Sequence, residues 1–183
     1  MREYDISTLN VLLVEKHAYM RRMFRDILRQ YNIREVRDCD KVINALSIFK
    51  EGSFDLVITD WSPGLDGIKF LQTIRQEDGS DRFVPVIVVT ANTEAKHIYK
   101  ALDSGMTEFL AKPISATKLY SRICSVIERR RMYISNNEFF GPDRRRVRKA
   151  DYSEENRRIG GNANGPERRD HSSTDFVGQN RRN

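Results

Sequence analysis

The chain has 183 residues, 39% of them apolar and 32% charged, enough for one well-buried domain and too few for two of ordinary size. No apolar run reaches the roughly 20 residues of a membrane-spanning helix, and Met1-Arg2-Glu3-Tyr4-Asp5 lacks a leader's apolar stretch, so a cytoplasmic protein with no membrane insertion is expected. The net charge of +6 is confined: residues 1–128 hold 18 basic and 18 acidic side chains, residues 129–183 hold 14 and 8, so only the end of the chain argues for an anionic partner.

Residues 9–14, Leu-Asn-Val-Leu-Leu-Val, read as a buried strand. Met20, Met23, Phe24, Ile27, Leu28 and Tyr31 then repeat at helical spacing. A short strand around Glu35-Val36-Arg37 leads to a helix carrying Val42, Ala45, Leu46 and Phe49, closed by Gly52. Residues 54–59 form a third strand ending at Asp60, and the turn-rich Ser62-Pro63-Gly64-Leu65-Asp66-Gly67 precedes a helix with Ile68, Leu71 and Ile74. Pro85 to Val89 is a nearly pure apolar run, as in a strand covered on both faces. A helix over 94–103 ends before Gly105, a strand covers 108–111, and a last helix starts near Ser115 with Leu119, Ile123, Val126 and Ile127 on one side.

Five strands alternating with five helices imply an α/β fold, a parallel sheet with helices on both faces. In such folds ligands bind beyond the carboxyl ends of the strands. Those ends carry Glu15 and Lys16, Asp60, Thr90, and Lys112-Pro113. Singly, each has an ordinary reading: a capping aspartate, a β-branched strand residue, a solvated lysine. Together a carboxylate, a hydroxyl and an ammonium on one sheet edge make a site for an anion formed on the carboxylate. Cys39 and Cys124 lie in apolar-periodic segments apart from His17, His97 and His171, so reduced packing cysteines are expected rather than zinc ligands.

Residues 9–128 resemble the receiver domain of bacterial two-component response regulators. The markers are Val11-Leu12-Leu13-Val14-Glu15, Val57-Ile58-Thr59-Asp60-Trp61, Asp66-Gly67, Val89-Thr90-Ala91 and Ala111-Lys112-Pro113, in the family's order. Met20-Arg21-Arg22-Met23 and Asp60-Trp61 are particularly similar to the stand-alone chemotaxis regulator. The resemblance implies a flavodoxin-like, doubly wound five-stranded parallel sheet of order 2-1-3-4-5, with residues 1–8 as an extension and 9–131 as the receiver. It implies a phosphoacceptor signalling protein that takes a phosphoryl group on Asp60 from a histidine kinase or phosphotransfer protein, assists its own transfer and dephosphorylation, and acts on a downstream protein target. Lys112 would pair with a phosphoryl oxygen, Thr90 would hydrogen-bond another, and Phe109 would change rotamer as Thr90 moves. The implied metal is Mg²⁺, held by Glu15, Asp60 and the Ser62 backbone carbonyl.

Two features depart from the family pattern. The first strand ends in Glu15-Lys16 where receivers carry two acids, and an ammonium supplies no oxygen to a metal. Either Lys16 takes the metal's place beside Asp60, giving a phosphorylation-independent pseudo-receiver, or it swings to solvent and leaves a weakened metal site. The Asp60–Gly67 loop is also one residue shorter than in the chemotaxis regulator. His17, beside the site, reads as a solvent-facing helix-start residue.

After Arg129-Arg130-Arg131 the apolar periodicity stops, and residues 132–183 read as a disordered, arginine-rich tail. Within it Gly141-Pro142-Asp143-Arg144-Arg145 returns as Gly165-Pro166-Glu167-Arg168-Arg169, and Asn156-Arg157-Arg158 as Asn180-Arg181-Arg182. At this shift of 24, 8 of 19 positions are identical. The paired arginines suit bidentate contact with carboxylate or phosphate. A solvated tail, a duplicated protein-docking motif, a nucleic-acid-binding adaptor and a cover made by Phe139-Phe140 folding back on the receiver all remain open.

Overall fold

The computed structural model describes residues 5–77, 81–128, 132–135 and 139–143. In chain order they form β1 (Val11–Val14), α1 (Ala18–Gln30), β2 (Val36–Cys39), α2 (Val42–Glu51), β3 (Leu56–Asp60), α3 (Gly67–Gln76), β4 (Val86–Thr90), α4 (Ala95–Asp103), β5 (Glu108–Ala111), α5 (Ala116–Glu128), β6 (Tyr133–Ser135) and β7 (Phe140–Pro142). The first five strands make one sheet of order β2-β1-β3-β4-β5, with every pairing parallel. This is the doubly wound order expected.

Alternation along the strands divides the core in two. Leu12, Val14, Val57, Val86 and Val88 face a layer containing Ala45 and Phe49 of α2, Leu71 and Ile74 of α3, and Ala101 of α4. Val11, Leu13, Ile58, Ile87 and Val89 face Phe24, Ile27 and Leu28 of α1 and Leu119, Ile123 and Val126 of α5. The three central strands are buried throughout, which explains why they read as continuous apolar runs.

Element ends move by a residue or two from the expectation. Leu9 and Asn10 stay outside β1 because Asn10 is committed sideways: its side chain donates to the Ser53 carbonyl at 2.6 Å, and its own carbonyl accepts from Asp55 N–H at 2.9 Å. Phe54 likewise stays outside β3, stacked on Phe49 at 6.2 Å.

Tyr133–Ser135 and Phe140–Pro142, at the start of the segment expected to be a tail, pair as the antiparallel strands β6 and β7 of a hairpin. It seats Phe140 edge-on against Phe83 at 5.2 Å, with the Arg82 guanidinium carbon 3.5 Å from the Phe140 ring centre. Tyr133 donates its hydroxyl hydrogen to the Phe83 carbonyl at 2.8 Å. Gly141 packs directly on Gly105: a Cβ there would stand 2.7 Å from the Gly105 Cα. Arg75 ends α3, Phe83 precedes β4 and Gly105 precedes β5, so the hairpin sits at the pole opposite the carboxyl ends of the strands. Arg144, Arg145, Arg157, Arg158, Arg168, Arg169, Arg181 and Arg182 lie outside the described residues.

Candidate functional site

Parallel register brings the ends of β1, β3, β4 and β5 to one edge. Asp60 pairs with Val89, and Thr90 pairs with Ala111 beside Lys112. Lys112 N–H donates to the Thr90 carbonyl at 2.9 Å, and the Lys112–Pro113 peptide is cis. Asp60 is 2% exposed, Glu15 0% and Thr90 2%. Two buried carboxylates side by side require a counter-charge. Lys112 supplies it, with Nζ 2.9 Å from Glu15 Oε2 and 2.9 Å from Asp60 Oδ1. The contact to Oδ1 is an ion pair. Burial alone would lower the Lys112 pKa, but hydrogen bonding and Coulomb attraction from Asp60 and Glu15 outweigh it and hold the ammonium above its ordinary range.

The remaining carboxylate oxygens are also engaged. Glu15 Oε1 accepts from His17 N–H at 2.9 Å, and Asp60 Oδ2 accepts a short hydrogen bond from the Ser62 hydroxyl. His17 is the exposed N-cap residue of α1. Thr90 Oγ accepts from Asn92 N–H at 3.0 Å, tying the hydroxyl to the loop before α4. Phe109 is half-buried on β5, packed against the α2–α4 side of the core.

The loop after Asp60 is a tight turn. Leu65 N–H donates to the Ser62 carbonyl at 3.0 Å, with Pro63 and Gly64 (φ 86°) at the two central positions, a type II arrangement that calls for glycine at the second. Gly67 starts α3 directly against the end of β3: a Cβ there would lie 2.1 Å from the Asp60 carbonyl oxygen. Asp66 caps α3 through Lys69 N–H at 3.1 Å.

Lys16 meets the turn after Asp60. Its exposed Nζ lies 3.5 Å from the Pro63 carbonyl, over Gly64, and no ion pair joins it to Asp60 among the described residues. The base of this side chain is fixed by Arg21, whose Nη1 donates to the carbonyls of Glu15 at 2.9 Å and Lys16 at 3.0 Å while Nε pairs with Asp38. Arg21 was visible only as part of a resemblance; no spacing rule points from a helical arginine to carbonyls five and six residues earlier.

These donors are a poor match for magnesium, which wants an octahedron of oxygens at roughly 2.1 Å. The Ser62 carbonyl is turned onto Leu65 N–H, an ammonium follows Glu15 in place of an acid, and Lys112 occupies the space between the two carboxylates. Among the described residues no three His, Cys, Asp or Glu side chains group as metal ligands. The residues present do not fit the ion.

The family model for the response regulator receiver domain matches residues 11–124. Chemotaxis protein CheY-3 of Vibrio cholerae serotype O1 is 31% identical over 124 residues, covering 67% of this chain and 95% of that protein. Chemotaxis protein CheY of Pseudomonas aeruginosa is 30% identical over 122 residues, covering 66% and 98%. Among solved structures, the chemotaxis response regulator CheY4 of Vibrio cholerae superposes with a TM-score of 0.59 at 25% identity, covering 64% of this chain and 98% of that one.

Proposed function

The chain belongs to the response regulator receiver family, and on that footing we propose that it is a single-domain phosphoacceptor that takes a phosphoryl group on Asp60 and signals through protein–protein contacts. The observation that carries this reading is the Glu15–Lys112–Asp60 cluster, a buried nucleophilic carboxylate already paired with the cation that its phosphorylated form needs. Phosphoryl transfer asks mainly for positioning and charge neutralisation. The bond from phosphorus to the donor breaks as the bond from phosphorus to an Asp60 carboxylate oxygen forms. Lys112 neutralises one phosphoryl oxygen, and the Thr90 hydroxyl, now bonded by Asn92 N–H, reaches toward another.

The two-state element is the Thr90–Asn92 loop with the half-buried Phe109, which a shift of Thr90 leaves space to turn inward. A histidine kinase or phosphotransfer protein is the donor, and a protein target reads the surface next to Phe109. The same groups serve when water later attacks the phosphorus. Lys16 lies on the Pro63 carbonyl instead of Asp60, which favours this reading over a pseudo-receiver held active by an internal lysine. The test is incubation of the full chain with an acyl phosphate, followed by intact mass. One added phosphoryl group in the wild type and none in Asp60→Asn supports the proposal; equal labelling of both proteins overturns it.

A further inference from the structure

The charge around Asp60 is not balanced within the cluster. Glu15 and Asp60 contribute two negative charges and Lys112 one positive, so the buried cluster is one charge negative before any phosphoryl group arrives. Phosphorylation turns the Asp60 carboxylate into an acyl phosphate, so its own charge is lost while about −1.5 to −2 is added at neutral pH, and the cluster becomes more negative. A second cation is required, and the oxygens that would hold a divalent one are already spoken for.

Lys16 follows Glu15 at the end of β1 as an unburied cation, and its placement is specific. Its Nζ lies over Gly64, where a Cβ would stand only 2.9 Å away, so the turn beyond Asp60 leaves a recess that the ammonium fills. Its partner there is weak: the Pro63 carbonyl at 3.5 Å, at the outer limit of a hydrogen bond and exposed to solvent. The backbone from which the side chain swings is rigid, because Arg21 holds the carbonyls of both Glu15 and Lys16 and is itself pinned by Asp38. A fixed base, a flexible four-carbon stem and a weak resting contact describe a cation that can change partners.

We propose that Lys16 is a second phosphoryl-binding cation: its ammonium leaves the Pro63 carbonyl for a phosphoryl oxygen on Asp60, opposite Lys112, and makes phosphoacceptance independent of a divalent metal. This rests on the reading of Asp60 as phosphoacceptor. With an acyl phosphate donor the phosphorus–oxygen bond to the donor breaks, the bond to Asp60 forms, and the donor departs as a carboxylate. Both lysines stay protonated, and no proton is consumed. Lys16 is a positioning residue in the resting state and touches the transferred group only as it arrives.

The experiment follows labelling of the full chain by acetyl phosphate in excess EDTA and in excess Mg²⁺, with intact mass as readout. A parallel Mg²⁺ titration is read by Trp61, the single tryptophan and the neighbour of Asp60. The expected result is a wild-type rate in EDTA within about twofold of that in Mg²⁺, and a loss of about tenfold in EDTA for Lys16→Met, the equivalent of one charged contact of about 1.4 kcal/mol. Lys16→Asp is expected to label only with Mg²⁺ and to show a saturable Trp61 response that the wild type lacks. Because Lys16 is exposed, both variants should melt with the wild type. Wild-type labelling confined to Mg²⁺, or Lys16→Met labelled as fast as wild type in EDTA, overturns the role of Lys16 while leaving Asp60 as acceptor. No wild-type labelling in either condition overturns both.

Discussion

Replacing Phe140 by alanine removes the aromatic ring that seats the β6–β7 hairpin. Phe140 meets Phe83 at 5.2 Å and 76°, lies 5.5 Å from Tyr133, and has the Arg82 guanidinium carbon 3.5 Å from its ring centre. Truncating a buried Phe costs about 3–5 kcal/mol, but this ring is half-exposed and recovers only part of that burial. The edge-to-face pair adds about 0.5–1.5 kcal/mol and the cation–π contact about 0.5–1. One term opposes these. Arg75 is fully buried beneath Tyr133, with Nε bonded to the Gly105 carbonyl and Nη1 to those of Arg82 and Val84, but Nη2 has no hydrogen-bond partner among the described residues. Burial pulls its pKa below the usual arginine range. Loosening the hairpin lets water reach Nη2 and returns about 1 kcal/mol. The net loss is therefore about 2 kcal/mol, a melting temperature lower by roughly 5–10 °C for a domain of this size. Circular dichroism melts of the full chain decide it. A Phe140→Ala midpoint within about 1 °C of wild type would refute the hairpin as an integral part of the domain.

Other consequences follow from single residues. Gly67→Ala forces a methyl group against the Asp60 carbonyl, so urea unfolding should show a loss of about 2–3 kcal/mol together with a changed Trp61 emission. Arg21→Ala frees the carbonyls of Glu15 and Lys16; a loss of about 1–3 kcal/mol in the same assay is expected, and an unchanged midpoint would contradict the anchoring role. Burial pushes the Cys39 thiol from 9.0 up to about 11. Between these values the folded state keeps a proton that the unfolded chain has lost, so stability falls as pH rises through that window. Cys39→Ala should flatten this part of a stability–pH curve. The Lys112 ammonium, raised by its two carboxylates, stabilises the fold below its ordinary pKa and loses that contribution as pH rises through the folded value, so a later fall should persist in Cys39→Ala.

The sheet was legible because β1, β3 and β4 are buried on both faces and therefore near-continuous in Val, Leu and Ile. Parallel pairing then sends every strand end to one edge, so Glu15, Asp60, Thr90 and Lys112 could be brought together before any distance was known. The direction of Lys16 could not, because a flexible side chain is placed by the turn it meets, here Pro63 and Gly64. The hairpin was hidden for a different reason. Its strands are three residues each, too short for a period-two pattern, and they are held by Phe83, Arg82 and Gly105, some 30 to 60 positions earlier in the chain. Phe139-Phe140 hinted at a fold-back, but the receiving surface has no sequence signature. Arg75 reads as an ordinary polar residue on an amphipathic helix, although its donors close three carbonyls at the base of the domain.

The central claim is that a phosphoryl group enters at Asp60, and chemical trapping tests it most directly. An aspartyl phosphate is an acyl phosphate, so borohydride reduces it to homoserine and marks the residue permanently. After reaction with acetyl phosphate, reduction and proteolysis, peptide mapping should find homoserine at position 60. Homoserine at another acidic residue, or none at position 60 when donor is in excess, would contradict the account.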